Sequence, residues 1–194
     1  PMSVTLATAV VATVIGTGIA LVVSFLASTV SNPNAIVYRA SKLILSVGRS
    51  LPDVVWGLLF VAFVGIGALA GVLALIMFNI GIIAKLTAET IDAVDPGPLE
   101  AADASGANVV QRSRVAVLPQ ILPNYVSYSM YVFELNVRAS VVLGFVGAGG
   151  IGTQIAVQLA RFNYDNLSAI IVLLFVVVFL IDQSSGYLRR RLAR

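Results

Sequence analysis

Cysteine and histidine are both absent from the 194 residues, and the two absences remove a great deal of chemistry. Without cysteine there are no disulfides and no thiolate metal sites. Without histidine the usual acid/base group at neutral pH is gone, and so is the commonest metal ligand. No stretch matches G-x-x-x-x-G-K-[ST], so the chain has no P-loop with which to bind and hydrolyse ATP itself. Charge is scarce too: only 11% of residues are Asp, Glu, Lys or Arg, and no ionisable side chain precedes Tyr38.

What fills the chain is apolar material. Hydrophobic residues make up 59% of it and the mean hydropathy is +0.99, far above a soluble domain, so the expected solvent is lipid. The formal charge of +3 and pI near 9.5 would suggest nucleic acid in a soluble protein. Here the basic residues flank apolar segments, which is a topology signal, and no nucleic-acid partner is expected. Pro1-Met2 is an unusual start for a translated chain and points to a trimmed N-terminus.

The sequence predicts five spans, at about 4–30, 52–64, 69–86, 118–142 and 166–188. Val4 to Val30 exceeds the ~20 residues that cross ~30 Å of hydrocarbon. Its Gly16, Gly18, Ala20, Ser24 and Ala27 are small, as suits close helix approach. Ala35 to Val47, with Arg39 and Lys42 against Ile36, Val37, Leu43 and Ile44, reads either as an amphipathic surface helix or as a plain basic loop. The charge-free stretch Val54 to Ala84 is too long for one crossing, and Gly65, Gly67 and Gly71 divide it. With five spans, the Arg39 to Arg49 region, the 95–117 loop and the tail Arg189-Arg190-Arg191 with Arg194 share one side, which the positive-inside rule makes the cytoplasm. Asp53 and Asp182 read as helix-end residues. Gln154 and Gln158 read as inter-helix hydrogen-bonding groups or as vestibule lining.

Asp95 to Pro119 is the longest polar interruption. Asp95 is placed to cap a short helix begun by Pro96, Gly106 supplies a left-handed turn, and Asn108 starts a second helix over Val109 to Val117 bearing Arg112 and Arg114. From composition alone this is an ordinary loop. Its spacing, Glu100-Ala101-Ala102, three residues, Gly106, nine residues, Ala116, one residue and Leu118-Pro119, resembles the EAA motif of binding-protein-dependent ABC importer permeases, with Ala116 where that pattern prefers isoleucine. The resemblance implies a coupling loop that docks on a separate ATPase through Glu100, Ala101, Ala102, Gly106 and Arg112.

In the fourth span, Glu134 and Arg138 are four apart on one helical face, in what reads as its outer half. A charge near the membrane centre costs about 2.5–3.5 kcal/mol on insertion scales, so these residues are expected to face the interior, pair together or line water. The structural alternative is a self-neutralising pair. The functional one is a pathway lined by Glu134, Asn136, Arg138 and Ser140, since arginine's planar fork suits phosphorus oxyanions. Phe133 to Ser140, Leu143 to Gly152, Arg49 to Pro52, Asp95 to Pro98 and Phe162 to Asp165 resemble the phosphonate importer permeases; methionine permeases share the glycine stretch and the loop. Gly147-Ala148-Gly149-Gly150-Ile151-Gly152 also fits G-x-G-x-x-G. No strand is expected before it, and Ile171-Val172 stand where an acidic residue is needed, so a dinucleotide site is rejected. An outer turn or gate at Gly147, Gly149, Gly150 and Gly152 is expected instead.

The expectation is thus an all-α integral membrane protein forming one ABC importer transmembrane domain over residues 1–194. It has five transmembrane helices, or six if the full-length chain carries the further N-terminal helix usual in the family, plus a cytoplasmic coupling-helix loop at 95–117. The resemblance implies a non-catalytic permease subunit of a prokaryotic plasma (inner) membrane, multi-pass, with its C-terminus in the cytoplasm. It works as a homodimer with a second permease copy, two cytoplasmic ATP-binding subunits and an extracytoplasmic phosphonate-binding protein. It binds no cofactor itself, ATP and Mg residing on the partner ATPase. Phosphate, phosphite or methionine are alternative cargoes; a membrane-embedded enzyme is disfavoured by the lack of a clustered acid/base site.

Overall fold

The computed structural model describes the backbone of residues 1–192 and the side chains of residues 1–189, so the tail residues Arg190, Arg191 and Arg194 of the basic cluster lie outside the described side chains. Among the described residues all regular structure is helical: α1 (Met2–Leu26), α2 (Ala35–Ser50), α3 (Asp53–Val64), α4 (Ala68–Asp92), α5 (Pro96–Ala104), α6 (Val109–Arg112), a π-turn (Ser113–Val117), α7 (Leu118–Phe145), α8 (Ile151–Ala160) and α9 (Tyr164–Leu192).

The bundle is built around α1, α4 and α7, and α1 shows why. Its buried positions, Thr5, Thr8, Ala9, Ala12, Thr13, Gly16, Thr17, Ala20 and Ser24, recur at helical spacing and are all small. Its large side chains, among them Val10, Val14, Ile19 and Val22, point outward. Lipid tails are as apolar as leucine, so burying leucine between helices gains little; close backbone approach and hydrogen bonds do the work. At Gly16 an added Cβ would stand 2.7 Å from Asn79 Cβ of α4, and Asn79 Nδ2 donates to Ala12 O at 3.0 Å.

Among the described residues three helices are long and apolar enough to cross a membrane: α1, α4 and the Tyr164–Arg189 part of α9. The pair α2 and α3, bent by 91°, counts as a fourth if taken as one broken span. α7 has 28 residues, ample length, but carries Asn124, Glu134, Asn136 and Arg138 and is not among them. Residues 35–50 are therefore a helix and not a plain loop. Asn34 caps it through Ile36 and Val37 N–H, and Trp56 Nε1 of α3 donates back to Gly48 O at 3.2 Å. The break between α3 and α4 falls at Gly65 and Gly67, with φ of 86° and 152°. Gly71 takes no part in it: it lies inside α4, facing Ala148, where a Cβ would come within 3.1 Å. α4 also runs on to Asp92, past the expected end near Leu86, because Thr87, Ala88 and Ile91 of its last turns are buried against the bundle, while Lys85 and Glu89 form an i,i+4 pair 3.4 Å apart on its surface.

One end of the bundle gathers the chain turns between α1 and α2 and between α4 and α7. Asp92 Oδ1 accepts from Ser28 Oγ (2.8 Å), Thr29 N (2.8 Å) and Thr29 Oγ1 (2.9 Å), joining the ends of α1 and α4. The other end holds the start of α1, the 65–67 break and the glycine turn before α8.

Candidate functional site

The 95–117 segment folds as its capping residues dictate. Asp95 accepts from Gly97 N at 2.9 Å and starts α5. Gly106 takes φ 76°, and Ala107 N returns to Ala102 O at 3.1 Å, closing the helix. Asn108 and Gln111 then form a reciprocal capping box, each bond 2.9 Å. The second helix is not a separate piece as the sequence suggested. α6 passes through the π-turn directly into α7, with Pro119 in the first turn of α7 rather than at a break. Pro119 lacks the N–H that would bond back along the helix. Gln120 serves that stretch with its side chain: Nε2 donates to Ala116 O at 2.7 Å, while Oε1 accepts from Asp95 N at 2.9 Å and so ties α5 to α7.

The result is a protruding knob. Glu100, Ala101 and Gly106 are exposed and Ala102 half-buried; Ala101, Ala102 and Gly106 line an open groove with Gln111 and Val115. Arg112, expected at the contact with a partner ATPase, bonds within this chain. Its guanidinium turns inward, 3.2 Å from Asp103 Oδ2 and donating to Val30 O, so it braces the knob against the end of α1. Ala116 is also buried, at 2% exposure, in the chain's own core. Leu99 anchors the knob from below, packed with Val94 and Leu118 on Ile91, Val117 and Ile121.

The four candidate pathway residues on α7 do not converge. Glu134 and Arg138 share a face but do not pair with each other; both reach α9. Glu134, 6% exposed, accepts from Arg189 Nη2 at 2.7 Å, and Arg138 Nη2 donates to Asp182 Oδ1 at 3.3 Å. Asn136 looks the other way, fully buried, donating to Thr13 Oγ1 of α1 at 2.8 Å, with its Oδ1 unpartnered. Ser140 is buried and donates to Val137 O of its own helix at 2.9 Å. Asp182 is therefore not a simple helix-end residue: it lies at the level of Arg138, well inside α9. The exposed side of α7 carries Asn124, Tyr131 and Arg138, seven residues apart and so on one face.

The glycine stretch serves three different needs. Gly147, Gly149 and Gly150 have φ of 94°, 79° and 78° and make the turn. Gly67 N donates to Gly147 O at 2.8 Å and Ile151 N donates to Thr5 Oγ1 at 2.8 Å, so the turn is seated between α1 and the α3–α4 break. Gly152 is not part of the turn; it lies in α8. A Cβ there would stand 2.0 Å from Val141 O, and one on Gly144 would stand 2.6 Å from Gly152 Cα. α7 and α8 thus meet backbone to backbone.

Sequence reasoning missed Arg189 and Asp182 as partners of the α7 charges, and Thr13 and Thr5 as buried hydrogen-bonding groups. The signal was parity: the α7 charges Glu134 and Arg138 are matched by Asp182 and Arg189 of opposite sign on the last helix. Threonine within an apolar run is too ordinary to mark a contact. Among the described residues no group of three metal-ligating side chains occurs.

This geometry defines a class: a multi-helix membrane protein with a stiff exposed knob at one end, a seated glycine turn at the other and charges on the helices between. The chain belongs to the family described as binding-protein-dependent transport system inner membrane component, whose model matches residues 12–194. It is 41% identical over 190 residues to a phosphite transport system permease protein of Stutzerimonas stutzeri, covering 98% of this chain and 69% of that one. It is 38% identical over 188 residues to a phosphate-import permease protein of Mycolicibacterium smegmatis, covering 97% of this chain but only 35% of that longer protein. In structure it resembles a chain of the MetNI methionine ABC transporter in inward-facing conformations, with a TM-score of 0.86 and 29% identity over 100% of this chain and 94% of that one. The chain is an all-α integral membrane protein of this permease family.

Proposed function

We propose that residues 1–194 form one transmembrane domain of an ATP-driven importer that carries a phosphorus oxyanion, phosphonate or its relatives phosphite and phosphate, by alternating access. The observation that carries this reading is the α7 face of Asn124, Tyr131 and Arg138. Exposed polar and charged groups along a lipid-embedded helix are too costly to face acyl chains, so the face belongs against a second permease copy with a watered path between them. The names of the relatives supply the cargo class, and a guanidinium suits it.

In this reading the knob end is cytoplasmic, in accord with Arg39, Lys42, Arg49 and Arg114 around it, and so is the C-terminus. Two ATP-binding subunits, which hold ATP and Mg, grip the knobs at Glu100, Ala101, Ala102 and Gly106. An extracytoplasmic binding protein delivers the anion near the Gly147 to Gly152 turn. Closing of the ATPases moves the knobs, and Arg112 and Gln120 pass that movement to α1 and α7, switching the bundle between two packings.

The test is ATP hydrolysis by the complete transporter in lipid with loaded binding protein, comparing phosphite, phosphate and methylphosphonate with methionine. A phosphorus oxyanion is expected to stimulate hydrolysis. Gly106→Val is expected to abolish the stimulation, since a β-branched residue resists φ near 76° by about 1–3 kcal/mol. Stimulation by methionine alone would remove the oxyanion assignment.

A further inference from the structure

Among the described residues two ion pairs join α7 to α9, and they are unlike. Glu134 is buried, and Arg189 approaches it to 2.7 Å, a short charge-assisted contact. Arg138 and Asp182 stand 3.3 Å apart, with side chains 53% and 46% exposed, joined by a single N–H to a single oxygen. A guanidinium has five donors, so this contact engages a small part of its capacity. The buried pair holds the helices together. The open pair leaves both charges reachable from outside the chain.

An arginine on an anion's path faces opposed demands. In a low-dielectric slab it needs a counter-charge at all times. A tight permanent partner would exclude the cargo, and a bare guanidinium would grip a tetrahedral oxyanion through two parallel N–H bonds too firmly to let it go. A carboxylate held by one long contact meets both demands. We propose that Asp182 is the resident counter-anion of Arg138, displaced when the phosphorus oxyanion arrives and returning to expel it. The event is an exchange of one anion for another at a fixed cation, with no covalent change. This rests on the reading of the chain as an oxyanion permease.

Two measurements test it: binding of labelled phosphite and phosphate to the permease–ATPase complex in lipid nanodiscs, and uptake by liposomes carrying the complete transporter at saturating loaded binding protein. Asp182→Asn removes the competitor while keeping Arg138. It is expected to bind anion about fivefold or more tighter, the lower end of coupling between ligands that contend for one state, and to transport more slowly because release is slowed. Unchanged or weaker binding overturns the exchange. A charge swap, Arg138→Asp with Asp182→Arg, provides the second arm. If the pair only holds helices, the swap restores uptake to wild-type rates and the proposal fails. Recovery of thermal stability without uptake supports it, and if the swap does not assemble, Asp182→Asn alone decides. Should the wild type take up neither anion nor methylphosphonate, the permease reading falls and the exchange with it. Wild-type uptake with unaltered binding in Asp182→Asn overturns the exchange alone.

Discussion

Single residues in this bundle are constrained by how near two backbones come, and the glycines separate cleanly on that criterion. Gly152 and Gly18 both lie within helices. A Cβ on the first would meet Val141 O at 2.0 Å, whereas the second has nothing within 4 Å. Gly152→Ala therefore must push α7 and α8 apart, and is expected to lower stability by about 3 kcal/mol or more, the range of severe overpacking. Gly18→Ala is expected to be neutral or to stabilise by up to about 1 kcal/mol through helix propensity. Thermal melts of the solubilised protein check both. The same logic explains what the sequence could and could not disclose at this scale. Glycines in a cluster announced a turn, and Gly147, Gly149 and Gly150 make one. That Gly152 is needed for an approach between helices is invisible without knowing which helix lies opposite.

At the scale of elements, the knob was the most legible part, because its caps act over four or five residues. Asp95, Gly106, Asn108 and Gln111 each satisfy a neighbouring backbone group, so local sequence suffices. Arg112 was not legible: its acceptors, Asp103 and Val30 O, come from nine and 82 positions away. The resemblance to the EAA motif makes it a contact for a partner ATPase, and nothing in the local sequence marks acceptors so distant. Instead the α5–α6 unit is fastened to α1 by Arg112 and to α7 by Gln120. Arg112→Ala is expected to leave the helices intact but reduce cargo-stimulated ATP hydrolysis by about tenfold, or about 1.4 kcal/mol of coupling. Arg112→Lys recovers only part of that, since an ammonium cannot reach both acceptors with the guanidinium fork's geometry. Measuring stimulated against unstimulated hydrolysis isolates this loss from a general loss of folding.

Across the whole molecule, the position of α9 depends on the pairing of Glu134 with Arg189. Its apolar hold on the rest is confined to partly buried side chains, Leu167, Ile170 and Leu174, which pack on Val141, Ile151 and Ile155 toward the other end of the helix. Arg189→Ala leaves a carboxylate buried without a partner and is expected to cost about 3–5 kcal/mol, seen as a large fall in melting temperature. Replacing both Glu134 and Arg189 with apolar residues of similar size is expected to restore most of it. The sequence placed Glu134 in a span but read Arg189 as part of the basic tail beyond one, and Glu134 and Arg189 are 55 residues apart, where helix order alone does not fix which faces meet.

The π-turn sets a phase relation. Each residue of an α-helix advances the side chains by ~100° about the axis. A π-turn holds one residue more than the α-helical turn it replaces, so Ser113–Val117 takes up one residue without the ~100° advance it would cause in a regular α-helix. Deleting one residue within the π-turn would give an ordinary α-helical turn and leave α7 close to its present azimuth, whereas deleting one from the regular helix just beyond it would rotate the rest of α7 by about that angle. In the second case Arg138 would swing off α9 and Asn136 off Thr13, and the groove would stay unchanged. Knob and membrane path are thus separately shaped parts on one shaft, and this short segment keeps them in register.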